Sequence, residues 1–353
     1  LSVAAEFEDF WFFVTGRTSQ TCLPKAIFLR TIKLTAPLVS VCIATFNQDR
    51  YIKDCIVSVL MQAPDVELEI LVGDDGTGTQ TADIVARLAR LHPGKIRYFK
   101  HEKNLGPSAN YQFLIREARG LFVAHLDGDD FWLPGKLAPQ LAWLNENPAS
   151  LACYTNAVVI NDAQEVQGVF SSVIRQPVDL AFLLAKGNFL THSSMLYRAS
   201  AKNALLEFEG PFIDYRMHLT FARHAKLGLL DAALVVYRLG SEHSMVRTTP
   251  KLVHNLYFDA LRSILSDALV SNTLRRQALR HFWKAIAVEA LVKRRFGWGL
   301  EWARKIGASY PHDFLAIAVW GIALAPVTLT GLLARRLARR MFKLDSLRVL
   351  HER

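Results

Sequence analysis

From residue 37 to about residue 245 the sequence predicts an α/β protein, a mostly parallel sheet with helices on both faces, followed by a C-terminal helical region. Three observations predict it. Short runs of alternating apolar residues are interleaved with amphipathic runs of ten or so residues, the pattern of βαβ units. The early strands end in Thr, Asn and Asp instead of another apolar residue. After Met245 the alternation stops and only helical spacing continues.

"LVSVCIAT" alternates Val39, Val41 and Ile43 and predicts the first strand. Asn47 or Asp49 is expected to start the next helix, whose Cys55, Ile56, Val59 and Leu60 fall on one face. "ELEILVGDD" predicts a second strand, and "TADIVARLARL" a helix stopped by Pro93 and Gly94. "KIRYFK" is a third strand, "SANYQFLIREAR" a helix ended by Gly120, and "LFVAHL" a fourth strand. "SLACYTNAVVI", "THSSMLYR" and "LLDAALVVYR" are read as further strands, with the helix "DYRMHLTFARHA" between the last two. Helices then follow over about 251–269, 273–295 and 298–309. The expected organisation is an N-terminal extension (1–36), the α/β domain (37–245) and a helical region (246–353) with an apolar, basic tail.

The chain has 353 residues, 51% hydrophobic and 21% charged, which excludes a disordered protein. Its formal charge is +10, and residues 334–353 hold seven basic against two acidic residues, half of that excess. Such a tail suits an anionic surface or a solvated helix face. Cys22, Cys42, Cys55 and Cys153 are scattered, without CxxC or zinc spacing, so buried thiols in a reducing compartment are expected. The acidic "EFEDFWFFV" is not expected to be a signal peptide.

In sheets of this kind ligands bind beyond the carboxyl ends of the strands. Thr45 and Asn47 follow the first strand, Asp74 and Asp75 end the second, and Asp127 and Asp129 follow the fourth, so these groups should converge on one crevice. Asp and Asn also cap helices, but three polar strand ends together point to a site. Asp-x-Asp with only oxygen donors nearby favours a hard divalent cation, Mg²⁺ or Mn²⁺, which commonly shares its shell with phosphate oxygens. A diphosphate is the ligand expected there.

"PLVSVCIATFNQDRYIKDCIVSVLMQ", "EILVGDDGTGTQT", "KNLGPSANYQ" and "AHLDGDDFWLPGKL", in that order and spacing, resemble the successive motifs of the family 2 glycosyltransferases. The resemblance runs from Pro37 to Leu141 and more loosely to Met245. It implies the GT-A fold, a Rossmann-like sheet, and inverting transfer of a sugar from a nucleotide diphosphate donor. It also implies that Thr45, Phe46 and Asn47 floor the nucleotide pocket, that Asp75 reads the nucleobase edge, and that Asn104 and Asn110 lie beside the donor. Asp127 matches the residue near the ribose hydroxyls, and Asp129 the metal ligand; His243, in the loop "YRLGSEHSM", is read separately as completing the metal shell, touching phosphate or serving as an ordinary polar loop residue. After Asp75 the family has Ser-Thr-Asp where this chain has "GTGTQT", with Thr79 in the acid's place, so UDP, GDP and dTDP sugars all stay open as donors. The family's base opens a helix in the second half of the domain. "GPFIDYRMHLTFARHA" puts Asp214 there, as base, helix cap or both, with His192 the first alternative. Trp132 is placed to stack on a sugar or to pack. "QALRHFW" lacks the tryptophan of the processive synthases' Gln-x-x-Arg-Trp, so one sugar per encounter is expected.

Residues 314–333 carry no charge and are long enough to cross a bilayer, but Pro326 and Gly331 interrupt them and basic residues flank both ends. An in-plane or re-entrant hairpin on the cytoplasmic face of the membrane is expected, the alternative being a hairpin buried on the domain. The expected partners are the donor, a saccharide or lipid-linked acceptor and the membrane surface, with no nucleic acid. Two rival functions are a nucleotidyltransferase, which would want a Gly-rich basic loop that "ATFNQDRY" lacks, and a non-catalytic scaffold for a polysaccharide assembly.

Overall fold

The computed structural model describes residues 38–62, 66–172, 177–241, 245–314, 317 and 348–351. The extension 1–36, His243 and most of the apolar, basic tail lie outside the described residues.

The first strand, β1 (Val39–Thr45), pairs in parallel with β2 (Leu68–Asp74) and with β4 (Phe122–Asp127), and β2 pairs in parallel with β3 (Ile96–Lys100). The chain therefore runs outward from β1 through β2 to β3 and then returns to the other side of β1. That reversal opens a crevice at the carboxyl ends of β1 and β4. The register sets Thr45 level with Asp74 and Ala44 level with Asp127, so the three polar strand ends do converge.

Beyond β4 the sheet is mixed. β8 (Leu196–Arg198) is antiparallel to β4, and β6 (Ala152–Ile160) is antiparallel to β8 and to β7 (Val166–Ser171). β9 (Gly228–Arg238) runs parallel to β6 and holds the two-residue β5 (Phe131–Trp132), while β10 (Arg348–His351) adds in parallel to β7. The stretch "THSSMLYR" is strand only from Leu196. His192–Ser194 forms a 3₁₀ turn instead, because the Ser194 hydroxyl donates back to the Thr191 carbonyl at 2.7 Å and tightens the chain.

The strand alternation splits the core into two layers. Val39, Val41 and Ile43 pack with Ile52, Ile56 and Val59 of α1 (Ile52–Leu60) and with Val85 of α2 (Gln80–Leu91). Cys42 and Leu71 face the other way, onto Tyr111 and Leu114 of α3 (Pro107–Glu117). α4 (Leu137–Glu146) lies in the first layer; α5 (Leu180–Lys186) and α6 (Asp214–His224) lie in the second. The second layer continues without a break into the C-terminal helices. Phe258 of α7 (Pro250–Leu265), Phe282 of α8 (Asn272–Val292) and Trp302 of α9 (Phe296–Ser309) belong to it, their rings 5.1–5.5 Å apart. Burying each such ring stabilises the fold by about 1.5–3 kcal/mol, so the helical region shares a core with the sheet.

Among the described residues no helix is long and apolar enough to cross a membrane. Of residues 314–333, only 314 and 317 are described. Phe314 and Ile317 pack on the helical core.

Candidate active site

The loop after β1 carries the first wall of the crevice. Asn47, Gln48, Asp49, Arg50 and Tyr51 line a cavity together with Gln80 and Ser241. Neither Asn47 nor Asp49 starts α1, correcting that expectation: Tyr51 precedes the helix and no side chain caps it. Asn47 takes a left-handed conformation (φ 52°), which Asn tolerates well, and its Oδ1 accepts the Thr77 N–H at 3.0 Å. Asp49 accepts the Thr81 hydroxyl at 2.5 Å. These two bonds tie the β1 loop to the β2 loop and to the first turn of α2. Thr45 is buried, its carbonyl accepts the Asp75 N–H at 3.0 Å, and its Oγ1 has no partner among the described residues. Phe46 is half-buried, and its backbone N–H donates to Gln48 Oε1 at 3.4 Å.

The paired acids after β2 have different roles. Asp74 is structural: it accepts from the Gly76 N–H (2.8 Å), the Tyr98 hydroxyl (2.6 Å) and the Lys100 ammonium (3.0 Å). Asp75 accepts only the Leu105 N–H, at 3.1 Å through Oδ1, so among the described residues Oδ2 is left for a ligand. That bond brings the segment with Asn104 against Asp75. Asn104 is exposed and closes its own turn by accepting the Gly106 N–H at 2.7 Å. Asn110 does not face the crevice, which corrects the expectation for it. It is 1% exposed, its amide donates to the Gly73 carbonyl at 2.9 Å, and its Oδ1 meets His101 Nε2 at 3.0 Å. Its physical role is to fasten α3 to β2.

The three aspartates after β4 also divide. Asp130 is 2% exposed and closes the loop, accepting the Ser193 hydroxyl at 2.6 Å and the Arg238 N–H at 2.9 Å. Asp127 sits against His125 Nε2 at 2.9 Å and the Ser193 hydroxyl at 3.3 Å. Burial works to raise it, but the His125 charge and hydrogen bond win and hold it below the usual carboxylate range. Asp129 is pushed the other way, by burial first and then by the Asp127 charge, against the Ser241 hydroxyl at 2.6 Å and, more weakly, its own backbone and the Arg238 charge. The Arg238 guanidinium reaches the Asp129 carbonyl (3.1 Å) and not its carboxylate.

Gly128 lets this loop approach β1. A Cβ there would lie 2.6 Å from Gln48 Oε1 and 2.8 Å from the Thr45 side chain, closer than real contacts allow. Gly128→Ala is therefore expected to lower stability by about 1–3 kcal/mol and to weaken nucleotide binding, read as a lower Tm and a higher Kd.

Asp214 is the first residue of α6 and does not make the usual cap bond, since Ile213 precedes the helix. Its Oδ1 accepts from the Asn188 amide at 3.0 Å and from the Tyr215 N–H at 2.8 Å. Burial pushes the carboxyl up to about 6 against those two bonds, and the Asp127 charge adds to the rise. His192 is stacked on His125 with centroids 3.7 Å apart, and burial first, then the His125 charge, pushes it well below the ordinary histidine range. So weakly basic a ring is a poor alternative base. His125, Asp127 and His192 each place one ligand atom within 4.8 Å of the others. Two imidazoles stacked 15° from parallel do not aim their in-plane lone pairs at one ion, so this trio suits a hydrogen-bonding wall better than a chelate. Trp132 packs: it is fully buried, donates to the Ser193 carbonyl at 2.8 Å and lies under the Lys136 ammonium at 3.9 Å. Lys136 is itself fully buried, and burial lowers it to about 7.

His125, Asn188, Ser193, His218 and Ser241 escaped the sequence reading. One signal was available: in "AHLD" His125 stands two residues before Asp127 on a strand, so both side chains emerge on the same face.

Residues 40–205 match Glycosyl transferase family 2. The uncharacterized protein Rv1520 of Mycobacterium tuberculosis (strain ATCC 25618 / H37Rv) is 26% identical over 196 residues, 55% of this chain and 56% of that protein. The chain thus spans little more than half the length of that relative. EpsE of Bacillus subtilis (strain 168) is 27% identical over 272 residues, 74% of this chain and 95% of EpsE. Among solved structures, S. aureus TarS 1-349 in complex with UDP-GlcNAc superposes with a TM-score of 0.56 at 21% identity, over 70% of this chain and 71% of that one. At that identity the likeness shows a shared fold, GT-A.

Proposed function

We infer, for a chain whose residues 40–205 belong to glycosyl transferase family 2, that it moves a sugar from a nucleotide diphosphate-sugar to an acceptor hydroxyl with inversion. One observation carries this reading. Two carboxylates, Asp129 just beyond β4 and Asp214 at the start of α6, are held by separate partners, Ser241 and Asn188, and the charge of Asp127 raises both. On this reading Asp129 serves the leaving group and Asp214 the incoming hydroxyl. Asp75 is suited to the nucleobase. That TarS was solved with UDP-GlcNAc supports a nucleotide-sugar donor here too.

The residues at Asp129 fit a hard divalent cation, Mg²⁺ or Mn²⁺. The carboxylate is an oxygen donor, burial and a like charge destabilise its ionised form, and among the described residues no ammonium or guanidinium pairs with it. Asp129, with His243 as a second ligand, would hold the ion, whose chemistry is to offset charge on the departing diphosphate. Asp214 takes the proton of the acceptor hydroxyl as that oxygen attacks the anomeric carbon. The tail, with its net charge of +5 over residues 334–353, supports work at an anionic membrane face, on a saccharide or lipid-linked acceptor of cell-surface polysaccharide or lipopolysaccharide synthesis.

Calorimetric titration with UDP-, GDP- and dTDP-sugars in Mn²⁺ tests the reading. One donor should bind and be slowly hydrolysed. Asp75→Ala should weaken that binding roughly tenfold or more, the share of a hydrogen bond to a charged group. A protein that binds none of the three overturns the assignment, and one that binds without turnover is a scaffold.

A further inference from the structure

Asp214 is held by a chain of half-buried and buried side chains that starts on its own helix. Asn188 Nδ2 donates to Asp214 Oδ1 at 3.0 Å, and one turn along α6 from Asp214, His218 Nδ1 lies 3.1 Å from Asn188 Oδ1. His218 is fully buried and therefore neutral, burial lowering it to about 3. Its Nε2 has no partner among the described residues. A neutral imidazole in that setting keeps its proton on Nδ1, where an acceptor waits, because a buried N–H without a partner is rarer and costlier than a buried lone pair. The Nδ1–H then fixes Asn188 with Oδ1 toward the ring and its NH₂ toward Asp214. The reversed amide would set its oxygen against a carboxylate oxygen.

The loop that carries Asn188 is seated by the C-terminal helices. Gly187 has φ 78°, and a Cβ there would lie 2.6 Å from His281 Nε2 and 2.7 Å from the Tyr257 hydroxyl. The Asn188 N–H donates to that hydroxyl at 3.2 Å, and Tyr257 stacks on Tyr215 at 4.5 Å. α7 and α8 thus reach the site through one tyrosine and one tight turn.

From these contacts we propose that Asn188, oriented by His218, is the positioning residue of the base: it holds Asp214 Oδ1 and leaves Oδ2 for the acceptor. This rests on Asp214 being the base. In the step it serves, the acceptor oxygen forms its bond to the anomeric carbon while the bond from that carbon to the diphosphate breaks. The proton passes to Asp214, and the electron pair leaves with the diphosphate.

The groups that couple to the Asp214 charge are His125 and Asp127 from β4, Tyr154 from β6, Tyr237 from β9 and Tyr257 from α7, and His218 on α6 reaches it through Asn188. Burial pushes all three tyrosines up, so they stay neutral across the working range. Asp127 raises Asp214, His125 lowers it, and the strongest opposition to burial is the Asn188 hydrogen bond. Activity needs the ionised base and falls as pH drops through its pKa. Removing the Asn188 donor must therefore shift the acidic limb of the rate profile upward, by about one pH unit.

The test compares pH–rate profiles of the full chain with Asn188→Ala, His218→Leu and His218→Asn, using Mn²⁺ and the donor found by titration. Nucleotide binding confirms that each variant folds. Asn188→Ala and His218→Leu should shift the acidic limb upward and recover most of their rate at high pH. His218→Asn keeps a donor where Nδ1 stood, so it should return the limb to the wild-type position. Limbs that superimpose on the wild type, or a loss equal at every pH that His218→Asn does not rescue, overturn the proposal. If Asn188→Ala does not fold, the two His218 variants decide alone. Asp214→Asn as active as wild type would instead remove the base reading on which the proposal rests.

Discussion

Replacing Asp214 by Asn should lower kcat by roughly 10²–10⁴, the usual share of general-base catalysis. Donor affinity should stay within a few-fold, because on the proposed reading Asp214 acts on the acceptor and not on the nucleotide. The acidic limb of the rate profile, expected near the value of about 6 to which burial raises this carboxyl, should disappear. Stability should move the other way. A carboxyl whose folded pKa lies above its unfolded value costs stability once pH rises through that interval, so above pH ~6 the Asn variant should melt at the same temperature or higher. Stopped assays of transfer across pH, with thermal melts on the same samples, check both. An unchanged rate would leave Asp214 only the task of holding the Tyr215 N–H.

Asp129→Asn is expected to abolish turnover together with the metal dependence of donor binding. On the proposed reading this carboxylate is the oxygen ligand of the ion, and Asn keeps the shape and the Ser241 contact while removing the charge. Losing a ligand to a hard cation should cost at least roughly 10³ in kcat. Transfer rates over a Mn²⁺ titration measure it. Near-normal turnover in this variant, or wild-type activity in excess chelator, would dispose of the metal assignment.

The local elements were legible because their signals are local. The alternation of Val39, Val41 and Ile43 is the alternation of two core layers, and the helix spacing of Cys55, Ile56 and Val59 is the face that meets one of them. Asp75, Asp127 and Asp129 could be placed by sequence because strand ends are where backbone direction fixes a side chain's destination, whereas Asp214 came from the resemblance to the family. Asn110 went wrong for a related reason. A helix near the crevice has an inner face as well, and only packing shows that this amide meets the Gly73 carbonyl.

By itself, then, the sequence determined the βαβ order, the crevice at the ends of β1, β2 and β4, and the acids that line it. These follow from periodicities of two and 3.6 residues and from turn chemistry, which act over a few residues. Only the tertiary structure decided which acids are available to a ligand. Asp74 and Asp130 are engaged by Lys100, Tyr98, Ser193 and Arg238, while among the described residues no side chain engages the second oxygen of Asp75, Asp129 or Asp214. The same holds for Asn188 and His218, thirty residues apart, and for the Tyr257 hydroxyl, 69 residues from the amide it accepts. Hydrogen bonds over such separations depend on how the layers close, and no local pattern in the chain encodes them.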